Sequence, residues 1–333
     1  MHKIAPLGLL LALFGTTASF AVDAIPDAAK TAKAAEDAAL FASPTTRDHI
    51  GRVVVPVTIN GRGPFRFIVD TGANHSTISP GLARTLGLQP DTTIPVLLDG
   101  ITGSSLVSYV IVDRLQAGDL TLAEQTMPVI TASVFAGADG ILGAASLTTK
   151  SLMVDFQHNQ VSIARNVANA VRARSTKIHA ARLTYGLITL EARVGGIRVL
   201  AVVDTGAERT LGNPALRNAL HSRDRPGVVV RVTTVYGATE ETESAEIRRA
   251  PTISLDALRI NDVSILYGDF HIFRVWNMVD EPAMILGMDV LGTVAGLGID
   301  FERQDVYVAA ASGGINPRDL TTGAALGNSM SKR

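Results

Sequence analysis

Phe67-Ile68-Val69-Asp70-Thr71-Gly72-Ala73 reads FIVDTGA, a run of apolar residues that ends on a lone carboxylate. No basic residue follows closely enough in the chain to explain that charge. The pattern returns at Val202–Ala207 as VVDTGA. Asp-Thr-Gly once is weak information, because an aspartate often caps the backbone of a turn. Two copies, each after an apolar strand and each followed by Ala, point to duplication.

Working outward, the flanks repeat as well. RVVVPVTI, NGRGP and FRFIVD read as two strands around a Gly-rich turn, and GLITLEARV, GG and IRVLAVVD read the same way. ADGILGAASL (Ala138–Leu147) corresponds to AMILGMDVLG (Ala283–Gly292), and MVDFQHNQVSI (Met153–Ile163) to GIDFERQDVYV (Gly298–Val308). Asp70 lies 73 residues before Gly143, and Asp204 lies 83 before Gly287. Gly143 to Asp155 is 12 residues and Gly287 to Asp300 is 13. Only the middle of each half varies, where loops tolerate insertion.

The expected architecture is therefore all-β: two homologous lobes, 50–165 and 181–311, joined by a linker over 166–180. Residues 1–21 read as an export signal, with a basic start at His2 and Lys3, an apolar run Ile4–Phe14 and small residues at Ser19 and Ala21. Residues 22–49 read as an Ala-rich linker or short propeptide, and 312–333 as a Gly/Ser-rich flexible tail.

Composition narrows the chemistry. A formal net charge of -1 gives no electrostatic case for nucleic acid or an anionic membrane. With no cysteine, disulfides and thiolate chemistry are excluded. No HExxH spacing occurs, so neither a metal nor another cofactor is expected. Export without cysteine suits a bacterial periplasm, or secretion, and a protein free of the membrane after signal cleavage.

Symmetry gives the two aspartates a use. If the lobes pack about a pseudo-twofold axis, Asp70 and Asp204 meet, and like charges that close share one proton. The ionised carboxylate can then take a proton from water while the neutral one donates to a carbonyl oxygen. Gly72 and Gly206 let the turns pass beneath the carboxylates, and the Thr71 and Thr205 hydroxyls can bond the opposite turn.

On these residues the chain resembles the retropepsin-like aspartic proteases, in the two-lobed single-chain arrangement of pepsins. The likeness spans about 50–311. It implies acid-protease-type β-barrel lobes with a cleft between them, an extended polypeptide substrate, Asp70 and Asp204 as catalytic residues, and a monomer. It also implies a ψ-shaped loop through Ile141-Leu142-Gly143 and Ile285-Leu286-Gly287. Ala73 and Ala207 stand where pepsins carry a hydroxyl, which implies work nearer neutral pH. Hairpins at Leu97–Tyr109 and Thr233–Ser244 are candidate lids, with Gly100, Gly103, Tyr236 and Gly237 at their tips.

Other features have plainer readings. Glu240, Glu241, Glu243 and Glu246 read as a solvated face. His75 and Arg209, at one offset past their aspartates, read as surface positions, with tuning of the dyad as the alternative. Trp276 and Phe270–Phe273 belong to core or cleft wall. The competing functions are a peptide-binding scaffold using the same cleft, and a two-carboxylate glycosidase, which would leave the paired turns unexplained.

Overall fold

Both duplicated hairpins turn on two residues. Asn60 and Gly61 have φ of 50° and 75°, and Gly195 and Gly196 have 56° and 87°. Such left-handed pairs match the twist of the flanking strands, so they pin the register at Ile59↔Arg62 and Val194↔Ile197. The computed structural model describes residues 39–44, 46–47, 51–118, 120–131, 133–167, 169–182, 186–222 and 230–310. The stretches 1–21, 22–38 and 312–333 lie outside the described residues.

The strand that delivers each aspartate is buried on both faces. Phe67, Ile68 and Val69 have no exposed surface, and neither do Ala201, Val202 and Val203. This is why FIVD and AVVD read as continuous apolar runs rather than alternating ones. Each strand has an antiparallel hairpin neighbour on one side. On the other it has a parallel one: Phe67–Asp70 runs beside Gly140–Gly143, and Leu200–Val203 beside Ala283–Leu286.

The duplication is legible in the caps too. Helix Pro80–Leu86 starts on Ser79, whose Oγ accepts from Leu82 N at 3.1 Å. Helix Pro214–His221 starts on Asn213, whose Oδ1 accepts from Leu216 N at 2.8 Å. Both caps precede a proline at the first helical position, and both stand nine residues past an aspartate.

Between the lobes runs an antiparallel stretch of six strands, part of a fifteen-stranded sheet that continues into the second lobe. Ala39–Pro44, Gln160–Ala164 and Ser151–Asp155 come from the first half, then Gly296–Asp300, Asp305–Ala309 and Thr176–Arg182 from the second. The halves join where Leu152 faces Ile299 and Met153 faces Gly298. Leu152 and Ile299 are both fully buried, so the lobes share a core. The segment read as a linker thus holds helix Asn169–Arg174 and the start of a sheet strand.

The all-β class and the two lobes are as expected; closed barrels are not what forms. The sheets are open paths, one ending on Asp91–Asp99 and the other on Arg231–Tyr236. Each end strand belongs to a hairpin that leaves its lobe and reaches toward the other. A strand committed to that reach is not free to close a barrel.

Leu152→Ala tests the joint. Removing a fully buried side chain there should cost about 2–5 kcal/mol in chemical unfolding. A loss below about 0.5 kcal/mol would show that the central sheet does not bind the halves.

Candidate functional site

Thr71 and Thr205 are fully buried, and each takes part in three bonds to the opposite lobe. Thr71 N donates to Thr205 Oγ1 at 3.2 Å, and that hydroxyl donates to Val69 O at 2.7 Å. Thr205 N donates to Thr71 Oγ1 at 3.1 Å, and that hydroxyl donates to Val203 O at 2.8 Å. All four bonds cross between lobes. They fix the two turns face to face, and they satisfy groups that burial would otherwise leave without partners.

The aspartates follow from this grip. Gly72 N and Ala73 N both donate to Asp70 Oδ1 at 2.9 Å. Gly206 N and Ala207 N donate to Asp204 Oδ1 at 2.8 and 3.1 Å. Each carboxyl therefore has one oxygen held by its own turn, and each lies against the glycine of the opposite turn. The two carboxyls are close enough to act on each other's titration. A Cβ on Gly72 would overlap the Asp204 carboxyl, and one on Gly206 would overlap that of Asp70. Only glycine lets the carboxyls come this close.

Beneath each turn the parallel strand supplies the second expected element. Ile141 and Leu142 pair with Ile68 and Val69, and Ile285 and Leu286 with Val202 and Val203. Gly143 N then donates to Ser76 Oγ, and Gly287 N to Thr210 Oγ1, each at 3.2 Å. Ser76 and Thr210 stand six residues past their aspartates and do equivalent work. Their difference in residue type hid them from sequence matching.

Burial raises both carboxyls above the ordinary aspartate range. For Asp70 the Asp204 carboxyl, the Gly72 amide, the Arg52 guanidinium and the Ala73 amide oppose that rise. Asp204 is raised further, by burial first and then by the negative charge of Asp70. Two acids in this arrangement hold one proton between them over a wide pH range.

The hairpins meet above the turns. Thr102 Oγ1 lies 3.4 Å from Thr239 Oγ1, Gly100 lies against Ala238 N, and Gly237 against Thr102. Glu241 crowds Gly103. Ile101 packs into the lobe-two apolar cluster that contains Ala207, Phe270 and Phe273. Ala238 packs into the lobe-one cluster beside Ala73. Each hairpin tip thus plugs the opposite wall, directly over an Asp-Thr-Gly-Ala turn. Tyr236 stays exposed, at 64%.

One attachment has no symmetric counterpart among the described residues. His271 Nε2 lies 2.7 Å from Ser104 Oγ and 3.3 Å from Asp99 Oδ1, and Ser104 donates to the same carboxylate at 2.6 Å. Ile272 N donates to Ile101 O at 3.4 Å. Lobe two therefore latches the first hairpin through the N-terminal end of helix His271–Val275. Sequence reading missed this, because Asp99 and His271 are far apart in the chain.

The remaining candidates have other partners or surroundings. His75 is exposed, and Arg209 Nε donates to Asp289 at 3.2 Å. Glu246 pairs with Arg217 and Arg248, and so does not join the other glutamates. Phe270 and Phe273 are buried, and partly exposed Trp276 stacks edge-on against Phe273. No described helix is long and apolar enough to cross a membrane.

A family model described as aspartyl protease matches residues 55–145 and again 190–290, together more than half of the chain. Each match holds one Asp-Thr-Gly turn and one Ile-Leu-Gly strand, and neither reaches the six central strands. A comparison with curated proteins gives no match.

Two outcomes are expected. A carboxyl raised in the folded state binds more protons than it does unfolded, so its stability contribution falls as pH rises from about 3.8 through its folded value. Asp204→Asn should therefore raise the melting temperature at pH 7, with the gain shrinking toward pH 4; an equal or larger gain at pH 4 contradicts it. His271→Ala should speed amide exchange over residues 97–107 by roughly 5–10-fold, the worth of about one hydrogen bond. Unchanged exchange there would show that the latch holds nothing.

Proposed function

The chain belongs to the aspartyl protease family, and from that membership and the dyad geometry we propose that it is an aspartic endopeptidase. The observation that carries the reading is the reciprocal threonine grip, which holds the two Asp-Thr-Gly turns face to face with each carboxyl against the glycine of the other. A pair so held, sharing one proton, suits hydrolysis of an amide by water.

In the proposed reaction an extended peptide lies between the dyad and the hairpins. The ionised carboxylate takes a proton from a water as that water's oxygen bonds to the scissile carbonyl carbon. The neutral carboxyl gives its proton to the carbonyl oxygen. The resulting gem-diol returns a proton from one hydroxyl to the dyad, its C–N bond breaks, and the dyad protonates the leaving nitrogen. Atoms and charge balance without a covalent intermediate.

The hairpins act as lids in this reading. Ile101 and Ala238 plug apolar walls over the turns, and peptide side chains take those places when the lids part. One chain supplies both aspartates, which supports a monomer. The reading of residues 1–21 supports a bacterial periplasmic or secreted location.

Digestion of a denatured protein tests the proposal. The wild type should cleave, pepstatin should inhibit, and Asp70→Asn and Asp204→Asn should each lower kcat by at least ~10²-fold. Since burial raises both titrations, the activity maximum should lie above about pH 4. A wild type that binds peptides without cutting them would instead identify a scaffold.

A further inference from the structure

The dyad is nearly twofold symmetric, and one charge breaks that symmetry. Arg52 directly precedes strand Val53–Ile59 and is only 4% exposed. Its Nη1 donates across the lobes to Gly206 O at 3.4 Å. Register identifies its counterpart. Val54 pairs with Ile68 two residues before Asp70, and Thr189 pairs with Val202 two before Asp204. Val54 and Thr189 are therefore equivalent, and Arg52 corresponds to Leu187, an apolar side chain that is 1% exposed. One side of the site has a buried guanidinium where the other has a leucine.

Gly206 is the residue whose Cβ would overlap the Asp70 carboxyl. A guanidinium bonded to its carbonyl is thus about one peptide unit from Asp70. Two effects follow, and they oppose each other. Through space, the cation favours a negative charge on Asp70. Through the peptide, polarising Gly206 C=O strengthens the Ala207 N–H, which donates to Asp204. A nearby opposite charge is one of the main influences on a carboxyl's titration. Relayed polarisation adds only ~10–30% to one hydrogen bond. The direct effect wins.

Among the described residues, the other charges near the dyad do not restore the balance. Asp289 is engaged by Arg209 and Thr210. Asp139 accepts from Arg66 N, and His75 and Glu208 are exposed. Arg52 is a cation that acts on Asp70, opposing the rise that burial causes.

We propose that Arg52 is a positioning residue that keeps the dyad's negative charge on Asp70 and its shared proton on Asp204. Resting on the endopeptidase reading, this assigns the roles within it: Asp70 is the base toward water, and Asp204 the acid toward the carbonyl oxygen. Symmetric lobes could make no such assignment.

Carbon-13 labelling of aspartate carboxyls in the full chain tests it without requiring turnover. Asp70→Asn and Asp204→Asn identify the two signals. In the wild type, the signal lost in Asp70→Asn should be the carboxylate one between the two titration steps. In Arg52→Met the lower step should rise by ~1 unit, and Arg52→Lys should keep most of the wild-type value. The acid limb of kcat/KM should move with it. Near-UV circular dichroism checks the fold, and Arg52→Gln replaces the Met variant if that one fails to fold. A titration unchanged in the neutral variant, or an anion on Asp204 in the wild type, overturns the role of Arg52. Absence of peptide cleavage would overturn the endopeptidase reading and leave the carboxyl titration readable.

Discussion

Two threonine hydroxyls, each giving a proton to the other lobe and taking one from it, set the geometry on which everything else in the molecule rests. Bringing two carboxyls together inside a protein is unfavourable twice over, through lost hydration and through repulsion. Something rigid must hold them there. The hydroxyls are fully buried and have both donor and acceptor roles filled, so neither turn can slide without leaving several polar groups stranded. The six central strands beneath supply the area that keeps the lobes together. The threonines supply the precision.

Much of this was legible in the chain, and the reason is physical. A strand buried on both faces must be apolar throughout, and a close approach of two carboxyls admits only glycine, so VDTG could not drift in either half. The Ile-Leu-Gly strands were readable on the same grounds. Ser76 and Thr210 escaped notice because one hydroxyl serves as well as another. Strands Ala39–Pro44 and Thr176–Arg182 were hidden differently. KTAKAAEDAALF has the composition of a solvated helix, and ALF becomes strand only because Gln160–Ala164 offers it an edge. Tertiary pairing there overrides local preference. The open sheets were unreadable too, since barrel closure depends on where end strands travel.

A duplicated chain can do what two identical subunits cannot. Identical subunits about a true axis would put the same groups on both sides. Here the halves have diverged where divergence matters: Arg52 occupies the position that Leu187 holds in the other half, and among the described residues His271 latches only one hairpin. The symmetric elements are those that build the site, and the asymmetric ones are those that direct it. That division follows from the chemistry, because a dyad with one proton is itself asymmetric at every moment.

The most direct measurement is a double-mutant cycle on the threonines. Thr71→Val, Thr205→Val and the double variant would be unfolded in denaturant and their free energies compared. Because each hydroxyl bonds the other residue's amide, the single losses should overlap, with a coupling energy above ~1 kcal/mol. Losses that simply add, to within ~0.5 kcal/mol, would mean that the two turns are held independently and that no grip brings the carboxyls together.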